Sequence, residues 1–297
     1  MNKSIAGMIK ISSYNDIVGG EDVSVIEVPL EELHQFKGHP FKVLDDDKMQ
    51  DIVDSIKKHG VLMPGIVRPG KNGGYEIIAG HRRRRACELA GLETMPVLVK
   101  DYTDDEAVIA MVDSNLQREE ILPSEKAFAY RMKFEALSHQ GKRDDDASST
   151  QVGWKAETAS MIGEAQGDSK NQVRRYIRLT ELQKELLDLV DGKKLKFNPA
   201  VEISYLPKGE QKLLMKVMEE DAVMPSLTQA GQLKKLSQDK AFTKESVHAI
   251  LTVSVIREKK FTIKREVVER YFEPETTDEE MENVICTLLE EWKRKKR

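Results

Sequence analysis

The chain has 297 residues, of which 39% are hydrophobic and 33% are charged, and its formal net charge is -4. This composition is typical of a folded, well-hydrated protein with two or three folding units, and it excludes DNA binding through net charge alone. The two cysteines lie far apart and the six histidines are scattered, which excludes a disulfide framework and a zinc site of neighbouring ligands. No apolar segment approaches the roughly 20 residues that span a bilayer, so we expect a cytoplasmic protein with reduced thiols and no membrane partner.

The N-terminal part of the chain alternates short strands with short helices. Residues 1–23 lack a regular pattern, and we expect them to be mobile. Residues 24–28 are rich in β-branched side chains and predict a strand. Residues 45–47 are acidic and predict the start of a helix that ends at Gly60. The buried face of this helix is predicted to consist of Met49, Ile52, Val53 and Ile56.

The next segment predicts two strands, a helix and a third strand. Residues 61–68 and 75–79 are apolar runs separated by a glycine-rich turn. Gly80 begins a helix that Gly91 ends, and residues 95–99 predict the third strand. The side chains of this helix predicted to face the core are Ala86, Leu89 and Ala90.

The pattern after residue 104 is helical. It is broken near Pro123, and Ser124 is predicted to cap the helix that follows. Residues 141–153 are polar and predict a linker or a long mobile loop. From Trp154 onward the helical pattern continues almost throughout.

These elements predict an α+β protein with three parts after the N-terminal segment. Residues 24–122 would form a mixed sheet domain, in which strands alternate with short helices. Residues 123–237 would form an all-α helix-turn-helix domain, and residues 238–297 a mainly helical C-terminal region.

Gly80 is followed by His81 and then by four consecutive arginines, where a strand gives way to a helix. The first turn of a helix has unpaired N–H groups and the positive end of the dipole, and glycine lets an anion approach the backbone closely. Arginines add forked hydrogen bonds to phosphate oxygens. Two interpretations remain open: a phosphate-binding turn, whose anion offsets the repulsion among the arginines, or a solvated basic face.

This segment resembles the Gly-Glu-Arg-Arg-x-Arg-Ala box of the ParB/RepB family of partition proteins, with His81 in place of the usual glutamate. Residues 55–69 are similar to the family signature that precedes this box. Residues 115–118 match the family's Asn-x-Gln-Arg box, with Ser114 where glutamate is usual. The residues that match the first box are Gly80, Arg82, Arg83, Arg85 and Ala86.

The resemblance implies a ParB-like domain that binds CTP with Mg²⁺ between the two boxes. The implied nucleotide-binding residues are Gly80, His81, Arg82, Arg83, Asn115 and Arg118, of which Asn115 also holds the metal. Residues 38–42 stand where the family places another part of the nucleotide pocket. Because Ser114 supplies no charge to Mg²⁺, we expect CTP binding with slow hydrolysis, unless Asp113 substitutes as a ligand.

A helix-turn-helix is predicted in the middle of the chain. Residues 158–165 form its first helix, residues 166–168 its turn, and Ser169 caps its second helix. The seam between the helices is predicted to consist of Ala159, Ile162, Val173 and Ile177. The second helix is basic, as expected for contacts with phosphates and base edges, although a solvated helix face has the same pattern. Its predicted DNA-binding residues are Ser169, Lys170, Asn171, Gln172, Arg174, Arg175 and Arg178.

An apolar stripe runs along the last predicted helix. It consists of Met281, Val284, Ile285, Leu288, Leu289 and Trp292. The stripe is either a dimer seam or a surface that docks on the chain's own core. We favour a homodimer, since a palindromic DNA site calls for two-fold symmetry.

Motifs and resemblance together predict a sequence-specific DNA-binding partition protein of a plasmid, mobile element or chromosome, which CTP converts into a sliding clamp. The resemblance also implies nucleoid association, a palindromic site on double-stranded DNA and a ParA-type ATPase partner. A transcriptional or nucleoid-associated regulator without a partition role is the alternative. An enzyme is the third interpretation, but no paired carboxylates and no nucleophile with its base mark a catalytic centre, so we assign no catalytic residue and expect weak CTPase activity at most.

Overall fold

The computed structural model of the chain describes residues 25–118, 120–144, 151–252, 265–273 and 276–295. The predicted mobile segment at residues 1–23 lies outside these residues. The chain divides into two compact units, Met1–Thr252 and Val253–Arg297. The domain boundaries predicted after residues 122 and 237 stay predictions.

Five strands in the first unit form one mixed sheet. They are β1 (Val25–Pro29), β2 (Leu33–His34), β3 (Gly65–Pro69), β4 (Tyr75–Ala79) and β5 (Thr94–Val99). Their order across the sheet is β1-β5-β3-β4-β2. β1 pairs with β5 and β3 with β4 in antiparallel fashion, whereas the β3–β5 and β2–β4 pairs are parallel. The sheet and the helices around it confirm the predicted α+β class.

The strand predicted at residues 61–68 starts later than expected. β3 begins at Gly65, because the preceding Pro64 has no N–H to donate to a strand ladder. Leu62 and Met63 are exposed in the connection before it. The apolar residues at the start of this run therefore do not belong to the sheet.

The first helix, α1 (Asp47–His59), confirms the predicted start and end. Asp46 caps it, since its Oδ1 accepts a hydrogen bond from the Met49 N–H at 2.8 Å. Gly60 ends it with a φ of +70°. Of the predicted buried face, Met49, Val53 and Ile56 are buried and Ile52 is partly buried.

The second helix, α2 (His81–Ala90), ends at Gly91, whose φ is +80°. Leu89 is 41% exposed, so its predicted place in the core is wrong. Cys87 is buried instead, because the helix turns the face around Ala86 toward the sheet. The inward face of α2 consists of Ala86, Cys87 and Ala90.

The rest of the first unit is helical. Its helices are α3 (Asp104–Leu116), α4 (Pro123–Asp144), α5 (Gln151–Glu164), α6 (Lys170–Leu179), α7 (Lys184–Asp191), α8 (Phe197–Ile203), α9 (Lys208–Asp221), α10 (Leu227–Gln238) and α11 (Lys244–Thr252). The predicted linker at 141–153 is too long, since α4 and α5 extend into it from both sides; residues 145–150 lie outside the described part of the chain.

Ser124 does not cap α4. The helix begins one residue earlier, at Pro123, a position that suits proline because no helical N–H is needed there. Ser124 donates its N–H and its hydroxyl to the Asp191 carboxylate at 2.9 and 2.6 Å. The serine therefore ties the start of α4 to the end of α7.

Three clusters of buried residues stabilise the first unit. One lies between the sheet and helices α1 and α2, and includes Val53 and Cys87. The second joins Ile66 of the sheet to α3, α4 and the helix-turn-helix, through Tyr130 and Val173. The third lies among α6 to α11. The second cluster therefore packs the predicted helix-turn-helix on the same core as the sheet.

The second unit contains α12 (Arg265–Val268), a 3-10 turn (Glu269–Tyr271) and α13 (Asp278–Lys295). Along α13, Met281 is buried, whereas Val284, Leu288, Leu289 and Trp292 are exposed. Throughout the described residues, no helix has the length and apolar character needed to cross a membrane.

Candidate functional site

The turn between β4 and α2 requires glycine at position 80. The φ of Gly80 is +115°, in the left-handed region that side chains rarely adopt. A Cβ at this position would lie 3.2 Å from the Gly65 Cα and 3.3 Å from the Met95 Cε. The absence of a side chain therefore lets the start of α2 approach the backbone of β3 closely.

Two of the four arginines after this turn bind groups on the loops beside it. Arg82 Nη2 donates to Asp46 Oδ1 at 2.9 Å. Arg83 Nη1 donates to the carbonyl oxygens of Met63 and Pro64 at 2.5 and 2.6 Å. Arg83 thus holds the connection before β3, and its predicted contact with phosphate stays a prediction.

The other two arginines are also paired within the chain. Arg84 donates to the Leu30 carbonyl oxygen at 3.2 Å and forms an ion pair with Glu88 at 2.9 Å. Arg85 forms an ion pair with Asp45 at 2.6 Å, and the hydrogen bond from Arg85 lowers the pKa of Asp45. Carboxylates and carbonyls of the chain therefore offset the repulsion within the arginine run, and a bound polyanion is not needed to explain it.

Two histidines with unpaired ring nitrogens meet at the start of α2. The rings of His39 and His81 stack with centroids 3.8 Å apart and planes 35° apart. All four ring nitrogens are buried, and none makes a hydrogen bond of normal geometry to a described residue. Burial lowers the pKa of His81 to about 2, and it lowers the pKa of His39 to about 4 against the raising influence of the Phe41 backbone. Both rings are therefore neutral near pH 7 in this structure.

Arg118 brings a cation to the same place. Its guanidinium lies over the Phe41 ring, 5.4 Å from the centroid, and forms no hydrogen bond or ion pair with any residue in the described ranges. Burial lowers the pKa of Arg118, and the nearby charge of Arg82 lowers it further. The Nε of Arg82 is also buried without a hydrogen-bond partner among the described residues.

The structure therefore brings together four of the residues predicted for nucleotide binding, which are Gly80, His81, Arg82 and Arg118. It adds His39, which the sequence analysis did not single out. The signal for His39 was its position in residues 38–42, the segment assigned to a pocket by resemblance. Unpaired buried nitrogens next to a helix N-terminus make this cluster, the His39–His81 site, suited to an anion.

Neither of the two residues before Asn115 offers a free carboxylate to a magnesium ion. The Asn115 side-chain N–H donates to the Met111 carbonyl oxygen at 2.8 Å, and the Ser114 hydroxyl donates to the same oxygen at 2.9 Å. Asp113 is buried in an ion pair with Lys133, and burial raises the pKa of Asp113. Asp113 therefore faces α4 and cannot substitute for the missing glutamate at Ser114.

Two further carboxylates near the site already have partners. Asp46 accepts from Met49 and Arg82, as described above. Glu125 accepts from the N–H groups of Lys42 and Leu122 at 2.7 and 3.1 Å. No group of three His, Cys, Asp or Glu side chains within the described residues is arranged as metal ligands. Since Mg²⁺ prefers carboxylate and phosphate oxygens, this donor set does not fit the expected metal.

The helix-turn-helix is built as predicted, with a tight turn. Gly163 near the end of α5 is required there, because a Cβ would lie 2.2 Å from the Asp168 carbonyl oxygen. The Asp168 side chain accepts a hydrogen bond from the Tyr130 hydroxyl at 2.6 Å and pairs with Lys126 at 2.7 Å. Ser169 caps α6. The turn is therefore anchored to α4, and the predicted apolar seam is confirmed: Ala159, Ile162 and Val173 are buried and Ile177 is partly buried.

The predicted DNA-binding residues of α6 and its cap divide into two groups. Ser169, Lys170, Asn171 and Arg174 are exposed, and Gln172 is half-buried. Arg175 Nη2 donates to Asn198 at 2.5 Å. The exposed group faces solvent, while Arg175 reaches toward α8.

Arg178 is also engaged within the chain. Its Nη2 donates to the Ser204 carbonyl oxygen at 2.8 Å, and its guanidinium lies 4.3 Å from the centroid of the Tyr205 ring. Arg175 thus holds the start of α8 against α6, and Arg178 holds its end. Their predicted contacts with DNA stay predictions, and their structural role was not foreseen.

A cavity of about 940 Å³ lies apart from these sites, beside the edge strand β2. Its lining includes Arg68, which forms ion pairs with Glu76 and Asp104 at 2.6 and 2.8 Å. None of the residues predicted for nucleotide binding lines it. The size of this cavity is therefore not a guide to the anion site.

The chain is similar to known proteins over its N-terminal part. Residues 14–116 match the family model of the ParB N-terminal domain. The chain is 34% identical over 167 residues to the chromosome-partitioning protein Spo0J of Thermus thermophilus, covering 56% of this chain and 55% of that protein. It is 26% identical over 238 residues to the nucleoid occlusion protein of Bacillus pumilus, covering 76% of each.

Among solved structures, the chain is similar to the C-terminally truncated ParB of Caulobacter crescentus in complex with CTP-gamma-S, with 27% identity and a TM-score of 0.31. That match covers 61% of this chain and 92% of the other. The chain spans about half the length of the Spo0J that it matches. Residues 14–116 thus resemble a ParB N-terminal domain, and the chain is similar in sequence to the chromosome-partitioning protein Spo0J.

Proposed function

We propose that this protein is a sequence-specific DNA-binding partition protein whose DNA binding is switched by CTP. The proposal rests on the presence of two different helix starts in the same compact unit. One is the buried, donor-rich start of α2 in a ParB N-terminal domain, and the other is the exposed, basic start of α6 in a helix-turn-helix.

CTP binding is supported by the chemistry of the His39–His81 site. Arg82, Arg118 and the first-turn N–H groups of α2 present positive charge and donors to an anion. The preference for cytidine comes from the resemblance to the ParB family, whose nucleotide boxes match around Gly80 and Asn115. Calorimetry with CTP, UTP, ATP and GTP tests this part, and equal or undetectable binding of all four nucleotides would refute it.

Sequence-specific binding to double-stranded DNA is supported by the exposed start of α6. Lys170 and Arg174 are placed to neutralise phosphates, and Asn171 lies near the N-terminus of the helix, where recognition helices contact base edges. Selection from a random duplex pool tests this part. We expect a short palindromic site; recovery of unrelated sequences after repeated rounds would contradict specific recognition.

A homodimer is supported by the exposed apolar face of α13. Val284, Leu288, Leu289 and Trp292 are 45–59% exposed, an unusual density for one helix of a protein in water. Sedimentation of the full chain is expected to show a dimer, and deletion of residues 273–297 is expected to leave a monomer. A truncated chain that stays dimeric would place the dimer contact elsewhere.

The switch is tested on DNA that carries the selected site. We expect CTP to make the protein accumulate on DNA whose two ends are blocked, and we expect cleavage of the DNA at one end to release it. A ring-shaped clamp behaves in this way because it leaves DNA only over a free end. Equal retention on blocked and open DNA would contradict the clamp, and a ParA-type ATPase partner is part of the same proposal.

A nucleoid-associated regulator without a partition role is the second candidate function. It is favoured by the match to a nucleoid occlusion protein, which covers 76% of both chains. A neighbouring gene for a Walker-type ATPase favours partition. Loss of a plasmid that carries the selected DNA site, in cells lacking this protein, is expected for partition and not for the regulator.

A further inference from the structure

Among the described residues, the His39–His81 site contains unpaired donors, and each of the carboxylates named near it already has a partner within the chain. Four buried imidazole nitrogens and the buried Nε of Arg82 make no hydrogen bond of normal geometry to a described residue, although the Phe41 backbone interacts with His39. The nearby carboxylates Asp46, Asp113 and Glu125 are all bound to other groups of the chain. A buried polar group without a partner is costly, which indicates a ligand rather than a structural role.

We propose that CTP binds the His39–His81 site without a divalent cation, and that the stacked histidines take up one proton as the triphosphate binds. This inference rests on the proposed CTP binding and concerns what balances the charge of the triphosphate. The proton on the histidine pair takes the place that a metal ion has in many nucleotide sites.

The groups of the chain around the pair keep it neutral. Burial and the charges of Arg118 and Arg84 disfavour a proton on His81, and burial and Arg118 disfavour one on His39. Of the other charged groups near the site, Arg82 is offset by Asp46, and Glu125 is bound to the backbone of Lys42 and Leu122. A triphosphate seated against both rings reverses this balance, because a nearby negative charge favours protonation.

The stacking limits the uptake to one proton. With ring centroids 3.8 Å apart, two imidazolium charges would repel each other strongly at low dielectric. The pair therefore titrates as a coupled unit with a single charge, as two interacting groups do in general. The protonated ring has both N–H groups available as donors, so it contributes hydrogen bonds as well as charge.

The test is calorimetric titration of the full chain with CTP, once with excess EDTA and once with Mg²⁺. We expect the two affinities to agree within about threefold, a difference of less than 1 kcal/mol. Repeating the titration near pH 7 in buffers of different ionisation enthalpy is expected to show uptake of about one proton per CTP. From about pH 6 to about pH 8, the affinity is expected to fall by up to about tenfold per pH unit.

The variants His39→Gln and His81→Gln separate the protein's proton from the titration of CTP itself. Glutamine keeps the polarity of the position but binds no proton in this range. We expect each variant to fold, to bind CTP more weakly and to show a smaller proton uptake than the parent chain. His59→Gln, which changes an exposed histidine of α1, is the matched control and is expected to leave both quantities unchanged.

The outcomes separate this inference from the proposed function. CTP binding that requires Mg²⁺, or that shows the same proton uptake in the parent and both variants, overturns the inference and leaves the CTP switch standing. Absence of CTP binding in EDTA and in Mg²⁺ across the whole pH range overturns both. Metal-independent binding with a proton uptake that is smaller in the variants than in the parent chain supports both.

Discussion

Helices α2 and α6 both carry several basic residues, but the surroundings of these residues differ between the two helices. At the start of α2, each of the four arginines is paired with groups of the chain, and the unpaired donors are buried. At the start of α6, Lys170 and Arg174 are exposed, and the arginines nearer its end hold α8. A buried, fixed set of donors suits one small anion of defined shape, whereas exposed flexible cations suit the repeating charge of DNA.

The strongest way to test the α6 side of this comparison is Gly163→Ala. The new Cβ would lie 2.2 Å from the Asp168 carbonyl oxygen, so the turn must move and its anchor on α4 is disturbed. We expect a loss of about 1–3 kcal/mol in the free energy of unfolding, together with loss of DNA binding and retention of CTP binding. Urea unfolding and DNA titration measure the two effects.

Gly231→Ala in α10 is the matched control, because no atom lies within 4 Å of the Cβ position and the site is an exposed helix interior. It is expected to stabilise the protein by about 0.5–1 kcal/mol. A Gly163→Ala variant as stable as this control would show that the turn is looser than described.

The corresponding test on the α2 side is Gly80→Ala. The left-handed φ of +115° and the contact with Gly65 both oppose a side chain, and the start of α2 is expected to shift away from β3. We expect CTP affinity to fall at least about tenfold, or 1.4 kcal/mol, with DNA affinity in the absence of CTP retained.

Gly91→Ala at the other end of α2 is the control for backbone strain alone. It has a φ of +80° but no atom within 4 Å of the Cβ position. It is expected to cost about 1–2 kcal/mol of stability while CTP affinity stays as in the parent chain. Equal CTP affinities in the two variants would remove the special role of Gly80.

Acid destabilisation is expected to report on the buried histidines. In the unfolded chain both titrate near the ordinary pKa of 6.5, whereas in the folded chain the pKa values are about 4 for His39 and about 2 for His81. The unfolded state therefore binds more protons as the pH falls below 6.5, and stability is lost between that pH and about 4. The loss is up to about 1.4 kcal/mol per pH unit for each histidine.

Urea unfolding without nucleotide from about pH 7 to about pH 5 measures this loss. His39→Gln and His81→Gln are each expected to flatten the dependence, while His59→Gln keeps it. A parent chain whose stability does not change in this range would show that the pair is not buried in its neutral form.

The smallest expected effect concerns Arg174. Its exposed side chain is expected to contact one phosphate, so Arg174→Ala should weaken DNA binding a few-fold and reduce the slope of log affinity against log salt by about 0.9. Stability is expected to stay unchanged. Titrations at several salt concentrations measure the slope.

Arg178→Ala provides the contrast on the same helix. It removes the hydrogen bond to the Ser204 carbonyl oxygen and the contact with Tyr205, so it is expected to lower stability by about 1–2 kcal/mol. Its effect on the salt slope is expected to be smaller than that of Arg174→Ala. Equal salt slopes in the two variants would contradict the division of α6 into two groups.

Much of the fold followed from local patterns. The ends of α1 were predicted because an acidic cap and a glycine stop act within a few residues of the chain. The helix-turn-helix seam was predicted from the 3.6-residue period. Leu89 was wrongly predicted to be buried, because the apolar residues near the end of α2 are compatible with more than one buried helix face. Contact with the sheet decides which face is buried.

The candidate site was predicted less completely. Gly80 and the arginines after it were identified from the strand-glycine-helix pattern. The groups that Arg82, Arg83 and Arg84 bind on other segments, however, lie 19 to 54 positions away in the sequence. A local sequence pattern cannot predict contacts between residues so far apart in the chain. The resemblance placed His39 in a pocket segment, residues 38–42, but its stacking on His81, 42 positions later, is created by the chain fold.

The sequence by itself determined where helices begin, which side chains carry positive charge and which glycines interrupt the chain, because capping, charge and backbone freedom are local properties. Only the tertiary structure decided which of those charges remain available. Pairing and burial depend on groups brought together from distant segments. Arg83 and Arg178 are therefore bonded within the chain, while the ring nitrogens of His39 and His81 make no hydrogen bond of normal geometry to a described residue.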